Sequence, residues 1–168
     1  MSRFLLQRKL MTFADRYSIR DEQGEDAYLA RGQWMSIGKK IHVKDREGKE
    51  VALLQRKLGT LRPQFVITIP GLPEITVVRE LVFLRVQYSV HILDWTVEGD
   101  VFHHDFYIRS GVKEIARIRK KWVANADQYS VEVLDDRDDL PVLLIVLAID
   151  CSLLEARMAT KISGAEKL

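Results

Sequence analysis

The sequence predicts a mainly β protein: an antiparallel, closed barrel of about twelve strands that surrounds one hydrophobic helix near the C-terminus. Three observations lead to this prediction. Hairpin-like segments repeat along the chain, strand signals follow one another at regular spacing, and one apolar run cannot face water on any side. We expect a single domain over residues 1–158, which includes a central helix at about 140–157, and a polar tail at 159–168.

The chain contains an internal repeat. The string LLQRKL at Leu5–Leu10 recurs unchanged at Leu53–Leu58. The segment that starts at Arg16 also aligns without gaps on the segment that starts at Lys40. A third similarity joins the two halves, because RKLMTFADRYSI near the N-terminus resembles KKWVANADQYSV in the second half. Such recurrence indicates that one structural unit is used several times.

Each repeated unit is predicted to be two strands joined by a turn. In YSIRDEQGEDAYLA and IHVKDREGKEVALL, alternating residues flank a turn that contains Asp and Gly. Gly accepts a positive φ and Asp caps its own turn, so both segments are typical of hairpins. The further predicted strands, which bring the total to about twelve, are Gln64–Ile69, Glu74–Glu80, Arg85–His91, Asp94–Glu98, Phe102–Arg109, Lys113–Trp122 and Gln128–Leu134.

The apolar run at Leu140–Ile149 predicts a buried helix. Four aspartates precede the run, and Pro141 falls where the first turn of a helix tolerates proline. A barrel of about twelve strands is too wide for its own side chains to fill, whereas a helix about 10 Å across fits the lumen. The run is too short for a transmembrane span, which needs about 20 apolar residues. The repeated hairpins are therefore expected to wrap the helix.

Charge and cysteine content exclude several classes of protein. The 168 residues include 26 basic and 24 acidic ones, and the net charge of +2 is too small for a surface built to bind nucleic acid. The single cysteine, Cys151, excludes an internal disulfide framework and fits a reducing compartment. The N-terminal apolar run is too short for a secretory signal. We expect a cytoplasmic monomer, with peripheral contact to a membrane as the extension of that prediction.

The sequence resembles the LURP-one-related family over roughly residues 3–155. The segments that carry the resemblance are YSIRDEQGEDAY, IHVKDREGKEVALLQRKL, WTVEGDVFHHDFYI, VKEIARIRKKW, ADQYSVEV and LLIVLAID. The resemblance implies the tubby-like fold, also seen in phospholipid scramblases: a twelve-stranded antiparallel barrel around a C-terminal hydrophobic helix. It implies no catalytic mechanism. Proteins of this fold are linked to plant defence, phosphoinositide binding and lipid movement, so the fold alone does not fix a function. No phosphoinositide-binding residues of tubby align with this chain.

Two groups of polar residues suggest metal binding, and each has a simpler explanation. His103 and Asp105 would point to one face of a strand and His104 to the other, so only two ligands converge where zinc needs three or four. The acidic run before the helix is similar to a segment of scramblases, but it lacks the glycine and the terminal glutamate of a helix-loop-helix calcium loop. Helix capping explains its carboxylates without an ion. The candidate calcium ligands are Asp135, Asp136, Asp138 and Asp139.

Asp150 follows the apolar run and is predicted to lie inside the barrel or at its mouth. An unpaired charge is costly to bury, so we expect this carboxylate to be paired, hydrogen-bonded or exposed at the rim. Cys151 beside it is interpreted as a small buried hydrophobe. The sequence contains no nucleophile motif, phosphate-binding glycine loop or paired cysteines, so we predict no enzymatic activity and no cofactor.

A basic strand face is the main candidate for binding. Alternation along KEIARIRKKW places four basic side chains on one face and Ala116 and Ile118 on the other. An outward basic face attracts anionic headgroups, and the alternative is a solvated surface that protects a strand edge. The candidate headgroup-binding residues are Lys113, Arg117, Arg119 and Lys121, with Arg8, Lys9, Arg56 and Lys57 at related positions of the repeats. We predict a non-catalytic binding module that contacts anionic membrane lipid, or alternatively a protein-interaction scaffold without a lipid role.

Overall fold

A computed structural model shows twelve β-strands and one long α-helix, and it describes residues 1–9, 15–33, 38–82, 85–102, 105–123 and 126–165. The first six strands are β1 (Ser2–Lys9), β2 (Arg16–Arg20), β3 (Asp26–Gly32), β4 (Lys40–Asp45), β5 (Glu50–Lys57) and β6 (Gln64–Thr68). The last six are β7 (Ile75–Val82), β8 (Arg85–His91), β9 (Trp95–Gly99), β10 (Asp105–Ser110), β11 (Lys113–Val123) and β12 (Ala126–Val133). A 3-10 turn at Asp136–Asp138 leads into α1 (Asp139–Ala165).

The strands form one closed antiparallel barrel. Each strand pairs with its neighbours in the chain, and β1 also pairs with β12, where Ser2 lies opposite Val133. The predicted fold class, a closed barrel of about twelve antiparallel strands around a C-terminal helix, is therefore confirmed. We call the end of the barrel at the loops after β1, β3, β5, β7, β9 and β11 the helix-exit rim, because α1 leaves the lumen there.

The two hairpins of the repeat have the same turn. Asp21 Oδ1 accepts hydrogen bonds from the backbone N–H groups two and four residues later, both at 3.0 Å. Asp45 Oδ1 does the same at 3.1 and 2.9 Å. Gly24 and Gly48 have φ values of +81° and +82°, which suit glycine far better than other residues. The Asp and Gly signals in the sequence thus correspond to real capped turns.

Alternation along the strands separates an apolar inner face from a polar outer face. Leu6 on β1 lies opposite Ile19 on β2 and Tyr129 on β12, and all three side chains are buried. Side chains that are directly opposite on paired strands point to the same side of the sheet. The register therefore shows which rows face the lumen.

Helix α1 fills the lumen. Every residue from Val142 to Ile149 is fully buried, so the helix contacts the barrel wall on all sides. Burial of one Leu, Ile or Val side chain is worth about 1.5–3 kcal/mol, which makes this segment a major source of stability. The barrel wall surrounds the helix, which explains why the helix is apolar on every side, as the sequence predicted.

The helix is longer than predicted. It continues past the expected end near 157 to Ala165, so that residues 159–165, predicted as part of a polar tail, are helical. Residues 159–164 are exposed, and Gly164 is the one strong helix breaker among them. The polar residues after Met158 indicated that this segment is not buried, but they did not indicate where the helix ends. No helix in the described ranges is both long and apolar enough to cross a membrane.

Candidate functional site

A buried carboxylate joins the helix to two strands near the helix-exit rim. Asp150 is only 2% exposed, and its Oδ2 accepts a hydrogen bond from Tyr17 Oη on β2 at 2.9 Å. Its Oδ1 accepts a hydrogen bond from Tyr129 Oη on β12 at 2.8 Å. Both carboxylate oxygens are satisfied, as a buried polar group requires. The prediction that Asp150 has hydrogen-bond partners is confirmed.

The two tyrosines occupy equivalent positions in the internal repeat. When RKLMTFADRYSI is aligned with KKWVANADQYSV, Tyr17 matches Tyr129. Strands β2 and β12 are the two neighbours of β1, so the repeat delivers one phenol from each side of that strand. We did not predict these partners from the sequence, although the matched tyrosines were a usable signal.

Burial keeps the groups around Asp150 protonated at neutral pH. Desolvation raises the pKa of Tyr17 and of Tyr129 well above the usual value for tyrosine, and the Asp150 carboxylate adds to both effects. Burial also raises the pKa of the Cys151 thiol to about 12, and its Sγ lies 3.5 Å from Tyr17 Oη. A thiol with such a pKa is unreactive at neutral pH. This cluster therefore anchors the helix and offers no nucleophile.

Ion pairs continue this anchor toward the helix-exit rim. Asp127 Oδ2 lies 3.0 Å from Lys120 Nζ on β11 and 3.0 Å from Arg157 Nη1 on α1. Glu155 Oε2 on α1 lies 3.1 Å from Arg56 Nε on β5. Asp127 is almost completely buried, so its partners offset a large desolvation cost. The helix is thus tied to opposite parts of the wall where it leaves the lumen.

The candidate headgroup-binding cations do not form one surface. Arg56 lies in register with the buried Phe65 and turns toward the helix, and Arg8 lies in register with the buried Tyr17. Side chains along a strand alternate between its two faces, so a residue two positions after an inward one also points inward. Both arginines are therefore on the inner side of the wall. Lys9 and Lys57, by contrast, are exposed near the helix-exit rim.

Three of the four basic side chains predicted for one face of β11 are on the outer face. Ala116 and Ile118 are fully buried, so alternation divides this part of the strand as expected from the sequence. A register shift between Ala116 and Glu114 ends the alternation, and Lys113, exposed at the strand end, lies opposite Ser110 in the row of the inward Ile108. We call the outer cations the β11 stripe; its members, all exposed, are Arg117, Arg119 and Lys121.

Carboxylates neutralise the centre of the β11 stripe. Arg117 Nη2 lies 3.0 Å from Glu114 Oε1, and Arg119 Nε lies 3.6 Å from Asp105 Oδ1 on β10. Glu132 on β12 lies directly opposite Arg117 and contributes a further negative charge to this face. The prediction for β11 considered one strand and could not include carboxylates that arrive from its neighbours.

Uncompensated cations lie instead on the outer side of the first four strands. Across the sheet, Lys9 is opposite Arg16, Arg16 is opposite Arg31, and Arg31 is opposite His42. Within the described part of the chain, no carboxylate forms an ion pair with any of the three Lys and Arg side chains. We call this surface the β1–β4 face; its cations are Lys9, Arg16, Arg31, Lys40 and Lys44.

The β1–β4 face is a feature that sequence reasoning missed, except for Lys9. Its cations are spread along the chain, and their proximity depends on the pairing of four strands. The hairpin around the Asp21 turn offered one signal, because its symmetry places Arg16 opposite Arg31. The two neighbouring pairs, Lys9 with Arg16 and Arg31 with His42, depend on the register between β1 and β2 and between β3 and β4. No turn motif in the connecting loops specifies that register.

Asp135 and Asp136, two of the candidate calcium ligands, form ion pairs within the protein. Asp135 accepts a hydrogen bond from the Arg137 backbone N–H at 3.1 Å and pairs with the Arg137 guanidinium, which holds the pKa of that carboxyl well below its usual range. Asp136 lies 2.6 Å from the Met1 ammonium and accepts a hydrogen bond from Ser2 at 2.9 Å. Calcium binding by Asp135, Asp136, Asp138 and Asp139 stays a prediction.

The other metal hypothesis concerns the two histidines and the aspartate at the start of β10. His103 and His104 lie outside the described residues, and Asp105 pairs with Arg119. Among the residues with described positions, no three His, Cys, Asp or Glu side chains are arranged to hold a metal ion.

Comparisons with known proteins agree with this architecture. YxjI, an uncharacterized protein of Bacillus subtilis (strain 168), is 24% identical over 150 residues, which cover 89% of this chain and 93% of that protein. An X-ray structure of an Arabidopsis thaliana protein is similar with a TM-score of 0.55 at 14% identity, over 86% of this chain and 89% of that one, and it supports the fold alone. The family model described as LURP-one-related matches residues 2–150. This match includes all twelve strands and the buried part of the helix through Asp150, and the chain therefore belongs to the LURP-one-related family.

Proposed function

We propose that this protein is a non-catalytic binding module that contacts anionic lipid headgroups through the β1–β4 face. One observation carries the proposal: Lys9, Arg16 and Arg31 lie directly opposite one another on adjacent strands and have no described carboxylate partner. Like charges in directly opposite positions cost about 0.2–1 kcal/mol in a sheet. Stability of the barrel gives no reason for this arrangement, whereas an anionic partner does.

The energy available from this face suits a peripheral membrane contact. A basic residue near an anionic membrane surface contributes about 1 kcal/mol. The three aligned cations then supply about 3 kcal/mol, and Lys40 and Lys44 extend the same surface. Such binding is reversible and depends on salt, because the charges are exposed to solvent.

The absence of catalysis is part of the proposal. The buried titratable groups near the helix, Asp150, Cys151 and the two tyrosines, are enclosed by the barrel wall and by α1 itself. Their hydrogen bonds are made to one another, which suits an anchor for the helix. The lumen that a substrate would need is occupied by the helix.

Vesicle sedimentation tests the proposal. Wild-type protein is expected to sediment with vesicles that contain phosphatidylserine and not with neutral phosphatidylcholine vesicles. The triple variant Lys9→Gln, Arg16→Gln, Arg31→Gln is expected to bind the anionic vesicles about 100-fold more weakly, because it loses about 3 kcal/mol.

A matched control removes the same charge from the β11 stripe, which β12 separates from β1. The variant Arg117→Gln, Arg119→Gln, Lys121→Gln loses three cations of the β11 stripe and is expected to bind nearly as well as wild type. Equal losses in the two variants would show that only net charge matters. Negligible binding of the wild type to both kinds of vesicle would overturn the proposal.

A scaffold role without lipid is the second candidate, and exposed apolar side chains at the helix-exit rim favour it. Leu58 and Leu61 in the loop after β5, Leu81 at the end of β7, and Met158 and Ile162 on the protruding part of α1 are all exposed. Met158 and Ile162 are four residues apart and share one side of the helix. A stable partner that no longer binds a Leu61→Ser, Ile162→Ser variant, together with absent vesicle binding, would favour this role.

A further inference from the structure

A groove on the outer side of β3 and β4 lies within the β1–β4 face. Its volume is about 460 Å³, which is in the size range of small-molecule sites. Arg31, His42 and Lys44 line it together with Leu29, and the turn between β4 and β5 closes one end. The groove therefore combines three basic side chains with one apolar contact.

The carboxylates at the groove are already engaged. Asp26 lies 3.4 Å from Arg20 Nε. Asp45 Oδ1 accepts the two backbone N–H groups of its turn. Arg46, the remaining cation of the lining, pairs with Asp21 at 2.8 Å. Arg31 is therefore the lining cation without a described carboxylate partner; Lys44 forms no described ion pair, but Glu50 lies directly opposite it on β5.

The register places the free cations close enough to share one anion. Arg31 is directly opposite His42, and Lys44 is two residues further along β4, so Arg31 and Lys44 are diagonal neighbours. Diagonal positions of an antiparallel pair are about 7–8 Å apart, well within the reach of Arg and Lys side chains. His42 lies beside them, and its Nδ1–H donates to Glu50 Oε2 at 3.0 Å.

We infer that this groove binds a phosphate monoester, with Arg31 and Lys44 on the phosphate oxygens and the His42 ring beside them. Arginine binds phosphate with two parallel hydrogen bonds, and lysine adds a mobile point charge. Leu29 offers a surface for the uncharged part of the ligand. The inference rests on the proposed function where the ester is a lipid headgroup, and it stands alone where the ester is a soluble molecule.

Two kinds of probe distinguish these sources. The lipid arm compares vesicles that contain a phosphatidylinositol monophosphate with phosphatidylserine vesicles of the same surface charge. The soluble arm titrates glucose 6-phosphate, with glucose as the uncharged control, and follows the ring signals of His42 by NMR. A preference of about tenfold for the phosphate monoester is expected in at least one arm, because the charge-assisted contact that Lys44 adds to that of Arg31 supplies that factor.

Variants separate the groove from the rest of the β1–β4 face. The double variant His42→Gln, Lys44→Gln is expected to lose the preference for the monoester, and its binding to phosphatidylserine should fall only by the contribution of one cation, about fivefold. The matched double variant Lys9→Gln, Arg16→Gln is expected to bind both vesicles more weakly and to keep the preference. All four positions are at the surface, and unchanged melting temperatures would confirm that the variants fold.

The outcomes also separate the two proposals. Binding to phosphatidylserine without any monoester preference, and without a response of His42 to glucose 6-phosphate, would overturn the groove and leave the proposed function intact. A response to glucose 6-phosphate without binding to any vesicle would support the groove for a soluble ester and overturn the membrane contact. A preference that survives in His42→Gln, Lys44→Gln would show that the monoester binds elsewhere.

Discussion

The buried charged side chains of the described barrel, Lys120, Asp127 and Asp150, all have partners. On the β1–β4 face, by contrast, Lys9, Arg16 and Arg31 lie opposite one another without a described carboxylate partner. Burial of an unpaired charge costs several kcal/mol, so selection for stability is enough to explain the interior. Repulsion between solvated charges costs far less and can persist. The stability of the fold therefore explains the interior charges, whereas it does not explain the arrangement of the outer ones.

The largest effect is expected for Asp127. Replacement by Ala leaves Lys120 buried without its carboxylate and should lower the free energy of unfolding by about 4 kcal/mol. Urea denaturation measures this loss. Asp105→Ala, which removes the exposed partner of Arg119, is the control and should cost about 0.5 kcal/mol. Similar losses for the two variants would contradict the contrast between buried and exposed charges.

Asp150→Ala should have the next largest effect. It leaves the phenols of Tyr17 and Tyr129 buried without an acceptor and should cost about 3 kcal/mol, measured by thermal or urea unfolding. In a double-mutant cycle with Tyr129→Phe, the two losses should not add, because both remove the same hydrogen bond. Additive losses would show that Asp150 and Tyr129 act independently.

Alkaline pH should destabilise the interior before it affects the outer face. The pKa of Tyr17 and of Tyr129 is raised in the folded state, so the folded protein holds these protons more tightly than the unfolded chain does. Their contribution to stability is complete below the unfolded pKa of about 10 and is lost as pH rises above it. Urea unfolding at several values between pH 8 and 11 should show this decline. A double Tyr17→Phe, Tyr129→Phe variant should have a shallower slope; an unchanged slope would assign the proton linkage to other groups.

The smallest effect, and the one of opposite sign, is expected on the β1–β4 face. Arg31→Gln relieves repulsion from Arg16 and should raise the free energy of unfolding by about 0.5 kcal/mol. The same change should weaken binding to phosphatidylserine vesicles about fivefold. Arg119→Gln loses an ion pair and should show neither gain nor weakening. A loss of stability in Arg31→Gln would mean that this cation has a structural partner.

Local patterns in the sequence predicted the fold well because they reflect short-range rules. The helix at Leu140–Ile149 followed from apolar residues on every side, and the hairpins followed from the Asp and Gly turn signals. The outward orientation of Arg117, Arg119 and Lys121 on β11 followed from alternation. The same alternation, counted from Leu6 and Leu54, would have placed Arg8 and Arg56 on the inner side of the wall.

The candidate site was harder to predict because it depends on pairing between strands. Charge neutralisation of Arg119 comes from Asp105 on β10, and the row of Lys9, Arg16 and Arg31 comes from three separate strands. Register across long loops is not encoded in any short motif. Asp150 was expected to have partners, but the identity of Tyr17 and Tyr129 required the closed barrel.

The seam between β1 and β12 places Ser2 beside Val133, and α1 follows β12 in the chain. During synthesis, the strand that completes the ring and the helix that fills it therefore leave the ribosome after the other eleven strands. Until then the nascent sheet exposes the apolar residues that will later surround α1. Folding of the barrel should therefore be slow, because closure has to wait for β12 and α1 and pairs residues that are far apart in the sequence.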